Sequence, residues 1–323
     1  MLATSMRRRL LLAAVALLLT PGLAAGSVSS MGAGAWAVAS SGGGPYTAGP
    51  GDVLSGAAVY VGLRAYTAAI ATAHTQPLVN LRRASDSHQC DVLVATNGGL
   101  GVTASCGTGG DNGQSATSFC ASTTCYATKL YDQSGNSRDQ SQATTTAQPQ
   151  LVFSCLGAKP CLSGDGTKWL SGADGLTAFT FSFSITESRT SIVAWETLLN
   201  FQTAATGGGC GYGNNYTGDT DQYWSCGTLF GVSVFPGGTA WHIIGVLNDT
   251  PNATAIVDGV VNDIATSGTN TPATTMGELG YSDAGSWSGE FTELIVYTSN
   301  INSSNMAALC HNSYAYYGTS VAC

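Results

Sequence analysis

The chain has 323 residues, with 19 Asp and Glu against 11 Lys and Arg, a formal net charge of −8. Charged residues make up only 9% of it, against about 25% in ordinary domains, so solubility rests on Ser, Thr, Asn and Gly. Such a surface repels nucleic acid and anionic membrane, which excludes both as expected partners and points instead to a neutral polysaccharide or oligosaccharide.

In chain order, Arg7, Arg8 and Arg9 precede an apolar run from Leu10 to Leu19, too short to span a bilayer. Pro21 and Gly22 break that run, and Ala24, Ala25 and Gly26 offer a peptidase site, so residues 1–26 read as a secretory signal peptide. The expectation is a secreted protein, extracellular or periplasmic. Removal of the three arginines would leave 8 − 19 = −11. Residues 27–50 are rich in Gly, Ala and Ser and read as a flexible leader. Residues 51–323 read as one continuous domain, with no later run of eighteen apolar residues.

Within that domain, Val59, Leu63, Tyr66 and Ile70 fall at helical spacing and predict a helix over 57–71. Short strand-like runs follow at 78–81, 126–131, 179–185, 191–201, 228–235, 241–247, 253–257, 276–280 and 291–297. Forty-two glycines and frequent Asn, Asp and Ser turns favour a sandwich or barrel over βαβ units. Ser303-Ser304-Asn305 can cap a last helix to about Tyr316, with Met306, Ala308 and Leu309 on its apolar side. The class is all-β, a two-sheet jelly-roll sandwich with a short early helix and a C-terminal helix.

All ten cysteines follow the signal. An even count in an exported chain argues for disulfides. Taken as sequence neighbours, they pair as Cys90–Cys106, Cys120–Cys125, Cys155–Cys161, Cys210–Cys226 and Cys310–Cys323. The chain has no Cys-x-x-Cys pair, and its four histidines are scattered, so neither a metal site nor a cofactor is expected.

The segment between Cys210 and Cys226 carries Asp219 and Asp221 among Tyr212, Tyr216, Tyr223 and Trp224. Aromatic faces stack on sugar C–H surfaces and Asn and Asp side chains read hydroxyls, so Asp219, Asp221, Tyr223 and Trp224 are candidate saccharide contacts. A Ca²⁺ site from Asn214, Asp219 and Asp221 lacks the full oxygen-ligand pattern. A solvated loop bearing the sequon Asn215-Tyr216-Thr217 is the plainer alternative. Glu196, beside Trp195, reads as an outward strand residue. Glu290 and Glu293, three apart on a strand, are expected on opposite faces. Asp132 in Tyr-Asp-Gln-Ser-Gly reads as the cap of its own turn. Arg82-Arg83 before Asp86 reads as a salt bridge rather than an anion site.

Several blocks resemble the catalytic domain of α-L-arabinofuranosidase B. They are Gly49-Pro50-Gly51-Asp52, Arg64-Ala65-Tyr66 with 78–86 (LVNLRRASD), Phe119 to Asn136, and Gly280-Tyr281-Ser282-Asp283 with Gly289-Glu290-Phe291-Thr292-Glu293. The resemblance implies a concanavalin A/laminin G-like sandwich that hydrolyses terminal arabinofuranosyl groups with retention. That chemistry needs two carboxyl groups about 5 Å apart. The acid/base is thereby implied at Asp283, with Tyr281 and Trp287 as substrate-binding neighbours. The family's nucleophile strand, Val-Asp-Met-Glu-Asn, corresponds best to Val232-Ser233-Val234-Phe235, where Phe235 replaces the attacking glutamate. The family's adjacent cysteine pair is reduced to Cys210, and its N-terminal pair has Gly51 at the first position. Three readings follow: a glycoside hydrolase of this type, a carbohydrate-binding sandwich that has lost its nucleophile, or, third in rank, a secreted structural or interaction domain tethered by residues 27–50.

Overall fold

The computed structural model describes residues 45–323 except 108–109, 174–175, 177–179, 190–196, 202–209, 215–221, 227–231, 236–239, 250, 267–274, 280–286 and 319–322. Only the backbone is described at 214, 222–223, 225–226, 232–235, 266 and 275–279. The segment read as a signal peptide and most of the expected leader therefore lie outside the described residues. All described residues belong to one compact unit.

The strands run β1 (Val59–Gly62), β2 (Pro77–Arg83), β3 (Gln89–Val94), β4 (Leu100–Ala104), β5 (Cys125–Leu130), β6 (Gln140–Ser141), β7 (Gln150–Leu156), β8 (Lys159–Asp165) and β9 (Leu170–Ala173). They continue as β10 (Thr180–Arg189), β11 (Thr197–Asn200), β12 (Cys210–Asn214), β13 (Gln222–Cys226), β14 (Val232–Phe235), β15 (His242–Asp249), β16 (Asn252–Val257), β17 (Val260–Thr266), β18 (Thr275–Leu279) and β19 (Ser288–Tyr297). Four helices accompany them, α1 (Pro50–Val53), α2 (Ala68–Ala73), α3 (Ala116–Phe119) and α4 (Asn302–Tyr317).

Every described pairing is antiparallel, and the strands form two layers, as the all-β sandwich reading requires. The first layer runs β17-β16-β15-β10-β19, then β8-β7-β5-β2-β3-β4, with β1 on the later half of β19. The second runs β14-β13-β12-β11-β18-β9. The main core lies between them. Phe181, Phe183 and Ile185 of β10 meet Leu199, Phe201, Tyr212 and Trp224 from the second layer. Helix α4 covers the other face of the first layer, where Met306 and Leu309 pack on Tyr60, Ile295 and Tyr297. Gly245 of β15 admits this helix, since a Cβ there would lie 2.5 Å from Met306.

Two helical expectations shift. The helix predicted over 57–71 is in fact strand β1 followed by the short α2. Val59-Tyr60-Val61 is β-branched and aromatic, and pairing with Leu294–Val296 overrides the helical spacing. Its Val side chains enter the main core while Tyr60 faces α4. Helix α4 begins at Asn302, slightly earlier than predicted, with the Asn302 side chain accepting from Asn305 N–H at 3.0 Å. Part of the expected leader is built into the fold: the Tyr46 hydroxyl donates to Asp52 at 2.7 Å.

A buried ion pair joins β1, β19 and α4. Arg64 and Glu293, each 1% exposed, meet through Nε–Oε2 at 2.7 Å and Nη2–Oε1 at 2.9 Å. Tyr60 and Ser313 hydroxyls donate to the same carboxylate, and Arg64 also donates to Asn312 on α4. Glu293 holds the Arg64 proton more tightly than usual even though burial opposes the charge. Glu290 and Glu293 prove to share the helix-side face. The β10–β19 register skips Thr292, and this bulge resets the alternation. Glu290 thereby lies beside the Cys155–Cys161 sulfurs, and burial raises its pKa.

Four of the expected disulfides are present: Cys90–Cys106, Cys120–Cys125, Cys155–Cys161 and Cys310–Cys323. Cys210 is also disulfide-bonded, and the strand register sets it directly opposite Cys226. Asp132 caps its turn as expected, accepting from Ser134 and Arg138 N–H, and from Tyr60 N–H as well, each at 3.0 Å.

Arg64→Met strips the buried carboxylate of its cation. Urea denaturation should then show stability lower by about 3–5 kcal/mol. A loss below about 1 kcal/mol would mean that apolar packing alone seats α4.

Candidate functional site

Strand β10 changes character along its length. Phe181, Phe183 and Ile185 point into the main core, and by the same alternation Glu187 and Arg189 follow them inward. Both are essentially unexposed. The Tyr212 hydroxyl crosses from β12 in the second layer and donates to Glu187 Oε1 at 2.9 Å. Burial, and then the charge of Glu187, push the Tyr212 pKa well above its ordinary value.

His242 stands opposite Glu187 in the β10–β15 register. Its Nδ1 lies 2.8 Å from Asp258 Oδ2, while Asp258 Oδ1 accepts from Ile243 N–H at 2.9 Å. Asp258-Gly259 is the two-residue turn between β16 and β17, with φ of 51° and 80°. Asp-Gly suits a turn with both φ positive, and the turn brings the carboxylate to the imidazole. Burial works against a charged imidazole here, but the Asp258 bond and charge outweigh it, and the His242 pKa is raised from 6.5. Glu187, Asp258, Arg189, His242 and Tyr212 thus bring two acids, two cation-capable groups and a phenol to one end of the sandwich.

The predicted site residues divide around this end. Asp219, Asp221, Tyr281 and Asp283 lie outside the described residues, as does Glu196. Only the backbone is described for Tyr223, Ser233 and Phe235. Trp224 is fully buried in the core against Phe181, Phe183 and Phe201, its indole N–H donating to Asn248 at 3.0 Å. Trp287 is 2% exposed and packs edge-on to Phe291, with no acceptor for its indole N–H among the described residues.

The anchors of the predicted loops are informative. Segment 215–221, carrying Asp219 and Asp221, leaves β12 at Asn214, two residues past the Tyr212 that reaches Glu187. Segment 280–286, carrying Tyr281 and Asp283, leads into β19, whose Gly289 pairs with Arg189. Both segments are therefore tethered at the polar end of the sandwich. Glu187, Arg189, His242 and Asp258 were not singled out from sequence. The period-two run Phe-x-Phe-x-Ile-x-Glu-x-Arg was the available signal, since it extends the strand four residues beyond the predicted end.

Residues 50–153 match the family described as alpha-L-arabinofuranosidase B, catalytic. A probable alpha-L-arabinofuranosidase B of Aspergillus terreus is 35% identical over 97 residues, which is 30% of this chain and 17% of that protein. The enzyme of Penicillium canescens is 35% identical over 98 residues, 30% of this chain and 19% of its own. Among solved structures, a GH54 α-L-arabinofuranosidase soaked with a cyclic sulfate inhibitor superposes with a TM-score of 0.63 at 14% identity. An arabinofuranosidase complexed with arabinofuranosyl-α-1,2-xylobiose gives 0.62 at 15%. Each structural match covers 83% of this chain and 65% of the other. The chain carries the β-sandwich of these arabinofuranosidases, and its first third resembles their catalytic domain in sequence as well.

The His242 pair makes stability depend on pH. The folded pKa lies above the unfolded one near 6.5, so the contribution is complete below about pH 6.5 and fades as pH rises through the folded value. His242→Asn should flatten the fall in melting temperature above about pH 6.5; an unaltered slope would assign that dependence to other groups.

Proposed function

We propose that this chain is an exported glycoside hydrolase that removes neutral terminal arabinofuranosyl groups from a polysaccharide. The saccharide would sit at the polar end of the inter-sheet space. The observation carrying this reading is the convergence just described. The segments bearing Asp219, Asp221 and Asp283 are tethered where Glu187, Arg189 and His242 interrupt an otherwise apolar interior. The match of residues 50–153 to the arabinofuranosidase family supports the substrate class. Disulfides suit export, and no described helix is long and apolar enough to cross a membrane.

In this reading Asp283 protonates the leaving glycosidic oxygen and then activates water. Asp219, Asp221, Tyr223 and Tyr281 contact the sugar, and Trp287 packs on Phe291 at the start of β19. Glu187, unexposed and bonded to Tyr212, is a positioning residue that fixes β12 against β10 rather than a group that meets substrate. No cofactor takes part.

Phe235 favours a second reading. A phenyl ring at the family's nucleophile position cannot attack an anomeric carbon, so the same groove would bind the glycan without cleaving it. The two readings separate on 4-nitrophenyl α-L-arabinofuranoside and branched arabinan. Hydrolysis predicts nitrophenol release that falls about 10²–10⁴-fold in Asp283→Asn. Arabinan binding with no release, or release indifferent to that substitution, would overturn the hydrolase assignment to Asp283.

A further inference from the structure

The pairing of Arg83 with Asp86 expected from sequence is present, through Nε–Oδ1 at 3.0 Å among other contacts. Arg82 takes no part in it. As its strand neighbour Leu81 enters the main core, Arg82 projects from the opposite, outer face of the first layer. There it lines an open cleft of about 400 Å³ with Tyr126, Thr145, Thr146, Lys168 and Ser87. The volume falls within the range of about 300–1,000 Å³ typical of small-ligand clefts.

Three features give this cleft a chemical preference. First, it gathers two of the eight cations that follow residue 44 in a chain with 19 acidic residues, and its lining contains no acid. Second, Arg82 is 7% exposed, yet its hydrogen bonding is incomplete. Nε donates to Gln148 Oε1 at 2.7 Å, Nη2 to Thr145 O at 3.3 Å and Nη1 to Arg83 O at 3.4 Å. A guanidinium has five N–H groups, so one on each terminal nitrogen lacks an acceptor among the described residues, and a carboxylate is the group that accepts best from a guanidinium. Third, Tyr126 stands opposite Arg82 in the β2–β5 register, with the guanidinium carbon 5.2 Å from its ring centroid. This gives the cleft an aromatic wall beside its cation.

Lys168 completes the opposite side. Its ammonium donates to Thr146 O at 3.0 Å and Thr167 Oγ1 at 2.8 Å, and lies 3.1 Å from the exposed Asp165. The bond to Thr146 ties it to another residue of the cleft lining. The Asp165 pair is solvent-facing and therefore worth little.

We infer that this outer cleft is a second glycan subsite, taking the carboxylate of a uronic acid residue between Arg82 and Lys168. That a sugar bears the carboxylate rests on the hydrolase reading above; that the cleft prefers a carboxylate does not. It lies on the outer face of the sandwich, away from the inter-sheet space, so a polysaccharide carrying both neutral arabinose branches and acidic residues would engage two faces of one molecule.

Calorimetric titration with trigalacturonate and with its fully methyl-esterified form isolates the charge. The expected result is binding of the acid at least about tenfold tighter than the ester, and a comparable loss for the acid in Lys168→Gln with an unchanged melting temperature. Equal affinity for acid and ester, no binding of the acid at millimolar concentration, or full affinity in the variant would each overturn the subsite. Nitrophenyl arabinofuranoside hydrolysis should proceed at the wild-type rate in Lys168→Gln; a lost rate would show the cleft to be part of the hydrolytic site instead. Failure of the subsite leaves the Asp283 assay untouched, so the two proposals fail separately.

Discussion

The Arg64–Glu293 pair is the constraint on which the rest of the structure depends. Each charge sits where water cannot reach it, so neither is tolerable without the other. Their union fixes the start of the domain against its last strand and last helix, elements more than 220 residues apart in sequence. Gly62 belongs to the same arrangement, because a Cβ there would lie 2.9 Å from Glu293 Cβ. Replacing such a pair with apolar residues is often neutral or stabilising, so its contribution is geometric. A hydrophobic patch would let α4 slide on the sheet, whereas a guanidinium held by a carboxylate, Asn312 and Ser313 fixes one register.

The block that most resembles the arabinofuranosidase catalytic domain serves this same framework. Asp132 accepts from Tyr60 N–H, and Gln133 accepts from Tyr66 N–H while donating to Arg64 O. These bonds bind β1 and the residues after it to the end of β5. The Cys120–Cys125 bridge pins the loop that enters β5. The matched segment, 50–153, thus specifies how the first sheet and its N-terminal strap are assembled. It contains neither the end of β10 nor the strands that border the proposed site. Its resemblance therefore speaks to the frame more directly than to the chemistry.

The same division explains what could be read from sequence. Short runs such as 78–81 and 126–131 were legible because apolar, β-branched and aromatic residues cluster there between turn residues. The bridges were legible because each cysteine pairs with its neighbour in sequence, 5 to 16 residues away. The false helix at 57–71 arose where a buried strand and a short helix lie end to end, and Val59, Leu63, Tyr66 and Ile70 happen to keep helical spacing. The facing of Glu290 and Glu293 was lost to one extra residue, Thr292, which no local pattern announces. Gly51 illustrates a departure that only packing explains. A Cβ there would come within 2.6 Å of the Tyr66 ring, so the tyrosine occupies the space a cysteine at this position would require.

The polar end of the sandwich was illegible for a further reason. Sequence attention went to aromatics as sugar platforms, yet Tyr212 and Trp224 are spent inside the core. Buried indole and phenol rings supply much packing area and still need an acceptor for their polar atom. Asn248 provides one for Trp224, and Glu187 provides one for Tyr212. The first arrangement is neutral and ordinary. The second introduces a carboxylate where Ile or Val would continue the pattern of β10 at lower desolvation cost. A sheet pair selected for stability alone has no need of Glu187, Arg189 and a His242–Asp258 pair beside it. Their concentration at one end, beneath the anchors of both predicted loops, is the physical ground for proposing the saccharide there rather than against the buried rings of Tyr212 and Trp224.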